Sequence, residues 1–402
     1  MLSTLIYRSH LSDDVPVKSL ERLVEKANEV NGSLHITGIL LFNGTHFFQV
    51  LEGPEEAVNT LYERICKDTR HHNVVKLMRD YAPLRRFGNA GMELFDLRKH
   101  DKDSVLQAVL DRGTSKFNLT YDDRALQFLR TFIEAREKEN YFEIPPANLW
   151  EFIADEHPVF EDTAVSPTDG LSFAFQPIID PLARKIVSIE ALLRSADGRS
   201  PLEYFAQLPP DKIYETDLKS KKHVFSMAQN MGIEGITLSI NLLPMALVDV
   251  PDAVNFLLQE ISNNGLVPEQ IVIEVTENEV ISSIDALETA LKQLKAAGIS
   301  LAIDDFGAGS AGLLLLARFQ PDKIKIDRHI ICDIHKSGPK QAIVQAIIKC
   351  CSSLEISVIA EGVEKAEEWM WLEAAGISKF QGFLFAEPKL NAVPTVSWPE
   401  LR

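Results

Sequence analysis

Positive charge is scarce in this 402-residue chain: 41 Lys and Arg stand against 58 Asp and Glu, a formal net charge of −17. That balance repels nucleic acid, so direct DNA or RNA binding is not expected, while a basic protein partner or an anion held through metal remains compatible with it. Cysteine is scarcer still. Cys66, Cys332, Cys350 and Cys351 form no CxxC or zinc spacing, which excludes a disulfide framework and fits a reduced, cytoplasmic compartment. No apolar run is long enough to span a bilayer, and the opening M-L-S-T-L-I-Y-R-S-H lacks the layout of a secretory leader. What is present is ordinary globular material, 46% hydrophobic, enough for two or three domains with their own cores.

Leu2 to Tyr7 reads as a strand. Pro16 to Val30 reads as a helix, with Leu20, Leu23, Val24, Ala27 and Val30 at helical spacing. The apolar runs Ile36 to Phe42 and His46 to Leu51 flank Asn43-Gly44-Thr45, a hairpin turn. A second helix opens at Pro54-Glu55-Glu56, where acids meet the positive end of the helix dipole. Val74 to Tyr81 and Met92 to Phe95 add strands. The order βαββαββ predicts an antiparallel sheet with two helices on one face, an α+β ferredoxin-like sandwich. Tyr7 and Gln49 put polar groups inside apolar strands, where each needs a partner, either the other or the backbone.

The motifs L-I-Y-R-S at Leu5, Asn31, I-T-G at Ile36, F-F-Q-V-L-E-G at Phe47, D-T-R-H at Asp68 and R-R-F-G-N-A-G-M at Arg85 occur in this order. Together they resemble the BLUF domain, the blue-light receptor module that binds FAD, over residues 1–97. The resemblance implies that Tyr7 donates an electron to the excited flavin and that Gln49 bridges Tyr7 and the flavin. It further implies that Asn31 holds the polar edge of the ring, that Arg70 and His71 lie near the outer part of the cofactor, and that Met92 sits on the strand reporting the switch. An amide suits the bridging task because its donor and acceptor can exchange places. Ala90 stands where some BLUF domains carry Trp.

Residues 98–170 change character. Asp103 to Asp111 and Asp122 to Glu139 are helix candidates, the second with Leu126, Leu129, Phe132 and Ile133 along one face. An acidic, proline-bearing linker follows. Plain packing and a transmitter pressed against the preceding sheet are both consistent with these helices.

From Leu171 onward, apolar runs beginning at Phe173, Ile186, Ile236, Ile271, Ser300, Lys323, Ile356 and Phe380 alternate with helical segments. This pattern predicts a TIM-like (β/α) barrel in 171–402. Glu190, Asn241, Glu274, Asp304, Asp305, Lys325, Glu361 and Gln381 fall at strand ends. Neighbours within a strand point to opposite faces, so Asp304 and Asp305 serve one site only where their strand stops. Carboxylates without His or Cys call for Mg²⁺ or Mn²⁺, and two such ions are suited to clamping a phosphodiester.

Glu190-Ala191-Leu192-Leu193-Arg194, preceded by F-Q-P-I at Phe175, resembles the signature of the EAL domain, the phosphodiesterase of cyclic di-GMP. The resemblance implies that Glu190, Asn241, Glu274 and Asp304 bind one metal, and Asp304, Asp305 and Glu361 the other. Lys325 would position the attacking water, with Glu361 or a metal as activator. Arg194 would meet a substrate phosphate, Gln176 and Gln381 would place substrate and metal water, and Glu277 would anchor the loop after Asp305. A homodimer through this domain is also implied. Three departures stand out: Ala311 and Gly312 replace two hydroxyl residues, Leu243 replaces a Ser, and the helix after Arg194 lacks the usual acidic pattern. The whole chain resembles the BLUF–EAL photoreceptors, among them light-switched antirepressors that take a MerR-like repressor off DNA. Two outcomes therefore stand, a light-regulated phosphodiesterase yielding pGpG and a non-catalytic antirepressor.

Overall fold

The computed structural model describes residues 2–402 apart from 13–14, 16–19, 82–84, 88–91, 112–123, 135–143, 157–159, 161–169, 196–199, 234 and 310–311. It divides into two compact units, Met1–Ile144 with Asp333–Ile343, and Pro145–Cys332 with Val344–Arg402. Ala90, Ala311 and residues 140–143, 157–159 and 161–169 of the acidic linker lie outside the described residues, while Trp150–Ala154 of that linker forms a strand rather than the expected irregular segment.

The first unit runs β1 (Leu2–Leu11), α1 (Leu20–Ser33), β2 (Thr37–Phe42), β3 (His46–Pro54), α2 (Glu55–Cys66), β4 (His71–Tyr81), β5 (Met92–Asp96), α3 (Lys102–Asp111) and α4 (Arg124–Glu134). The predicted hairpin is present: the Asn43 carboxamide oxygen accepts from the Thr45 and His46 backbone amides, and Gly44 takes φ +112°. The five strands lie in the order β4-β1-β3-β2-β5. The sheet is not wholly antiparallel as expected, because β5 pairs with β2 in parallel. Strand direction explains this. β1 and β2 are each antiparallel to β3, so they share one direction, and β5 takes the same direction on returning from β4 to the far edge.

Alternation along β1 separates two cores. Leu5 and Tyr7 face α1 and α2 with Leu51, Val58 and Met92, while Ile6 faces α3 and α4 with Phe48, Val105, Leu129 and Phe132. The helices following the sheet therefore pack against its second face, which closes a layer that α1 and α2 leave uncovered. Leu129 is fully buried in that layer. Leu129→Ala is expected to cost about 2–5 kcal/mol in the unfolding of this unit, read from its denaturant midpoint. A loss below about 1 kcal/mol would show that α4 contributes little to closing the sheet.

The second unit opens with β6 (Trp150–Ala154), which pairs with the last strand, β16 (Ser397–Leu401). Between them lie β7 (Leu171–Asp180), β8 (Lys185–Ser195), α5 (Pro201–Phe205), α6 (Ile213–Met231), β9 (Thr237–Asn241), α7 (Ala246–Asp249) and α8 (Ala253–Asn263). Next come β10 (Ile271–Thr276), α9 (Glu277–Ala296), β11 (Ser300–Phe306), α10 (Gly312–Phe319), β12 (Lys323–Ile326) and α11 (Arg328–Ile331). The series ends with α12 (Gly338–Ser353), of which the part from Val344 onward belongs to this unit, then β13 (Ser357–Ala360), α13 (Ala366–Ala374), β14 (Lys379–Phe380) and the short β15 (Lys389–Leu390). Strands β7 to β14 pair in sequence, and β14 returns to β7, closing an eight-stranded barrel. One strand departs from a uniform (β/α) repeat. β7 is antiparallel to both neighbours, because a tight turn through Arg184 (φ +47°) joins it to β8, and a turn that short can only reverse the chain.

Candidate functional site

The first unit encloses a cavity of about 390 Å³ between its sheet and helices α1 and α2. Tyr7, Asn31, Gln49, Arg70, His71 and Met92, all singled out from the sequence, line it together with Val24, Leu40, Phe47 and Ile65. A polar chain crosses its floor. The Tyr7 hydroxyl donates to the Gln49 carboxamide oxygen, and Gln49 Nε2 donates to Met92 Sδ at 2.9 Å. Burial, then the neighbouring Tyr62, Cys66 and Asp68, hold the Tyr7 phenol far above its ordinary pKa, so it stays a proton donor. Gly38 lies in register with Met92, and a Cβ there would meet Val50 O at 2.0 Å and Met92 Cε at 3.3 Å. Its missing side chain leaves Met92 room to reach Gln49. At the rim Arg70 pairs with Asp68, and His71 Nδ1 lies 3.0 Å from Ser9 Oγ.

The cavity's composition fits a flavin, with apolar walls for a ring system and a few convergent polar groups for its edge. Asn31 strengthens the fit. It is buried, and its side-chain oxygen has no hydrogen-bond partner among the described residues. Asn28 Oδ1, which accepts from the Met92 backbone amide, is a support the sequence reading missed.

In the second unit these residues converge on one mouth around Lys325, which is fully buried, although Glu190 lies in the middle of β8 rather than at the expected strand end. Its Nζ lies 2.9 Å from Glu190, 3.0 Å from Glu274, 3.4 Å from Asp304 and 3.5 Å from Glu361. Burial alone would lower the Lys325 pKa, but Asp304, Glu190, Glu274 and Glu361 hold it well above the ordinary value. Asn241 Nδ2 donates to Glu190 at 2.8 Å, and Gln381 Nε2 donates to Glu190 at 2.7 Å and to Gln176 at 3.1 Å. Gln176 arrives from the middle of the reversed strand β7, directly opposite Glu190. Arg194 lines the same cavity as Glu190, Asn241, Glu274, Asp304 and Glu361. Glu277 Oε2 accepts from the Gly307 and Gly309 amides at 2.8 and 3.4 Å, tying down the loop after Asp305.

Asp304 and Asp305 reach one site differently from the expectation. β11 does not stop at them but runs on to Phe306, with its register against β12 broken between Ile303 and Phe306 and Asp305 at φ +53°. The irregularity cancels the alternation that would otherwise send adjacent side chains apart.

Oxygens of Glu190, Glu274 and Asp304, and separately of Asp304, Asp305 and Glu361, approach within 4.8 Å of one another. Burial and then like charge push Glu274 up to about 8 and Asp305 up to about 6, and raise Glu361 well above the carboxylate range. One ammonium is too little for so many carboxylates. Glu274 Oε1 and Gln381 Oε1 also lack partners among the described residues. This donor set, all oxygen and short of cations, fits two hard divalent ions sharing Asp304.

Sequence reading missed one support. Asp217 and Lys221, a buried i,i+4 pair at 2.6 Å on α6, line the mouth cavity, and Asp217 Oδ2 accepts from the Leu243 amide at 2.9 Å. This holds the turn just after Asn241. The D-x-x-x-K spacing was visible in the sequence, but its burial was not.

Residues 163–388 match the family model described as EAL domain, and residues 2–93 the model described as sensors of blue-light using FAD. Over 401 residues, covering all of both chains, 60% are identical to the blue light- and temperature-regulated antirepressor BluF of Escherichia coli (strain K12). Among solved structures, Klebsiella pneumoniae BlrP1 in a calcium/cyclic-diGMP complex is 46% identical, with all of both chains covered and a TM-score of 0.92. A standalone EAL protein from Vibrio cholerae O395, in its c-di-GMP bound form, is 33% identical with a TM-score of 0.54, covering 57% of this chain and 97% of its own. The chain belongs to the EAL domain family in its BLUF–EAL form, a blue-light regulator carrying its light-sensing domain ahead of the barrel.

Removing the central ammonium tests the electrostatics of the mouth. Lys325→Met in chelator is expected to destabilise the barrel by about 3–5 kcal/mol, because it leaves buried carboxylates unpaired, and Mn²⁺ is expected to restore part of that. An unchanged urea midpoint in chelator would show that the carboxylates are held by something other than Lys325.

Proposed function

We propose that this protein senses blue light through FAD in the first unit's cavity and hydrolyses cyclic di-GMP to pGpG at the barrel mouth, in the cytoplasm. The observation that carries this is the convergence of Glu190, Asn241, Glu274, Asp304, Asp305 and Glu361 around Lys325. Two Mg²⁺ or Mn²⁺, when bound by these residues, supply the positive charge that lets the carboxylates ionise together and that acidifies water next to a phosphodiester. The chain's own groups do the rest. Arg194 meets a substrate phosphate and Gln176 and Gln381 orient the nucleotide beside Glu190. Lys325 steers the attacking water, and Glu361, poised above the usual carboxylate range, takes its proton. In the sensor, Tyr7 donates its hydroxyl proton to Gln49 and is placed as electron donor to the flavin, while a turned Gln49 amide would exchange its bonds to Tyr7 and Met92. No described helix is long and apolar enough to cross a membrane. A second copy meeting the first through the barrel domain is part of this reading.

The 60% identity to a protein named as an antirepressor supports a second reading, in which the same barrel binds a MerR-like repressor and does no chemistry. The acidic surplus suits a basic partner.

Purified full-length protein incubated with cyclic di-GMP and Mg²⁺ or Mn²⁺ is expected to form pGpG at different rates in darkness and under blue light, with Glu190→Gln and Asp304→Asn inactive. No pGpG under any condition, together with a light-dependent complex with the repressor, would leave only the second reading. Tyr7→Phe is expected to retain flavin and lose the light-induced shift of its absorption band. A normal photocycle in that variant would remove Tyr7 from its assigned role.

A further inference from the structure

His10, His46 and His72 lie side by side on three neighbouring strands. β1 sets His10 against His46 of β3 and, past a register irregularity, against His72 of β4. Alternation from Tyr7 places His10 on the face opposite the cavity, with Ile6 and Arg8. Its ring lies 4.2 Å from that of His46 and 5.1 Å from that of His72. His10 is only 3% exposed, and neither of its ring nitrogens has a hydrogen-bond partner among the described residues. An imidazole so placed is costly to bury, and a group left without a partner in a native interior calls for a water or an ion. A proton does not meet the need. Burial first, then His46, His72 and Arg8, push the His10 pKa down to about 3, which leaves a neutral ring with a free lone pair.

We propose that His10, His46 and His72 form a binding site for one divalent transition-metal ion, Zn²⁺ by the softness of its donors. Imidazole nitrogens suit Zn²⁺, Co²⁺, Ni²⁺ or Cu²⁺, whereas the oxygen-lined barrel mouth suits Mg²⁺ or Mn²⁺, so the two sites would take different classes of metal. Cross-strand neighbours have Cβ atoms about 4.5–5.5 Å apart. Ligation would require the rings to turn about their Cα–Cβ and Cβ–Cγ bonds, out of the stacked arrangement of His10 and His72, so that one nitrogen of each could reach the about 2.0–2.1 Å of a zinc–imidazole bond, with a fourth position left for water. The ion would brace β4, β1 and β3 together. β1 and β3 carry Tyr7 and Gln49, so a bound ion is expected to slow thermal unfolding of the sensor sheet. This site is independent of the proposed chemistry and stands if the barrel proves inactive.

The test uses the flavin-loaded full chain, stripped with chelator and titrated with Co²⁺ in excess Mg²⁺, which occupies the barrel mouth. One equivalent of Co²⁺ with strong ligand-field absorption to the red of the flavin bands is expected, displaced by Zn²⁺. His10→Ala and His72→Asn are each expected to weaken it at least about tenfold. His46→Asn, at a partly exposed position, provides the comparison if His10→Ala does not fold. Binding unchanged in these variants, or no Co²⁺ bound by the wild-type chain in excess Mg²⁺, would overturn the proposal.

Discussion

The barrel mouth depends on one ammonium ion. Lys325 is fully buried, and carboxylates carried by β8, β10 and β11 and by the residue following β13 lie within 3.5 Å of its Nζ. Desolvating such a group is expensive, and only close opposite charges repay it. The carboxylates are equally dependent on Lys325, since without it they would have to take up protons or separate. The mutual need holds the acidic side chains of these strands together around β12. A site held this way is preorganised for divalent ions, because the oxygens already converge and lack only charge.

The sensor sheet works under a different constraint, the two-residue period of a strand. Along β1 it sends Tyr7 to the cavity and Ile6, Arg8 and His10 to the other face. The cavity face then carries a continuous hydrogen-bonded chain from Tyr7 through Gln49 to Met92, which spans β1, β3 and β5 because Gly38 of the intervening β2 has no side chain to obstruct it. Gln49 thus links three strands of the sheet at once. The opposite face is sealed by α3 and α4, so any shift of the strands bears directly on those helices.

Likeness to BluF and BlrP1 over whole chains makes the joining of these two units in one polypeptide a family trait rather than a peculiarity of this sequence. The turn after Asn241 is held from outside its own strand: the Leu243 backbone amide donates to Asp217, which pairs with Lys221 on α6.

Much of this was legible in the chain itself. Apolar periods located both sheets and their helices, and polar residues interrupting those periods, Tyr7, Gln49, Glu190 and Glu274 among them, marked the residues that line the cavity and the mouth. Such interruptions are readable because burial of a polar group demands a reason. What sequence could not supply were relations between strands. The parallel pairing of β5 with β2, the reversal of β7 and the irregularity at Asp305 depend on where the chain returns in space. Nothing in the sequence marked the burial of Lys221 against Asp217, which makes it part of the mouth. His10, His46 and His72 are separated by dozens of residues, and only strand register sets their rings side by side. Local sequence determines period and chemistry; register, direction and burial are collective properties, decided only when the whole chain packs.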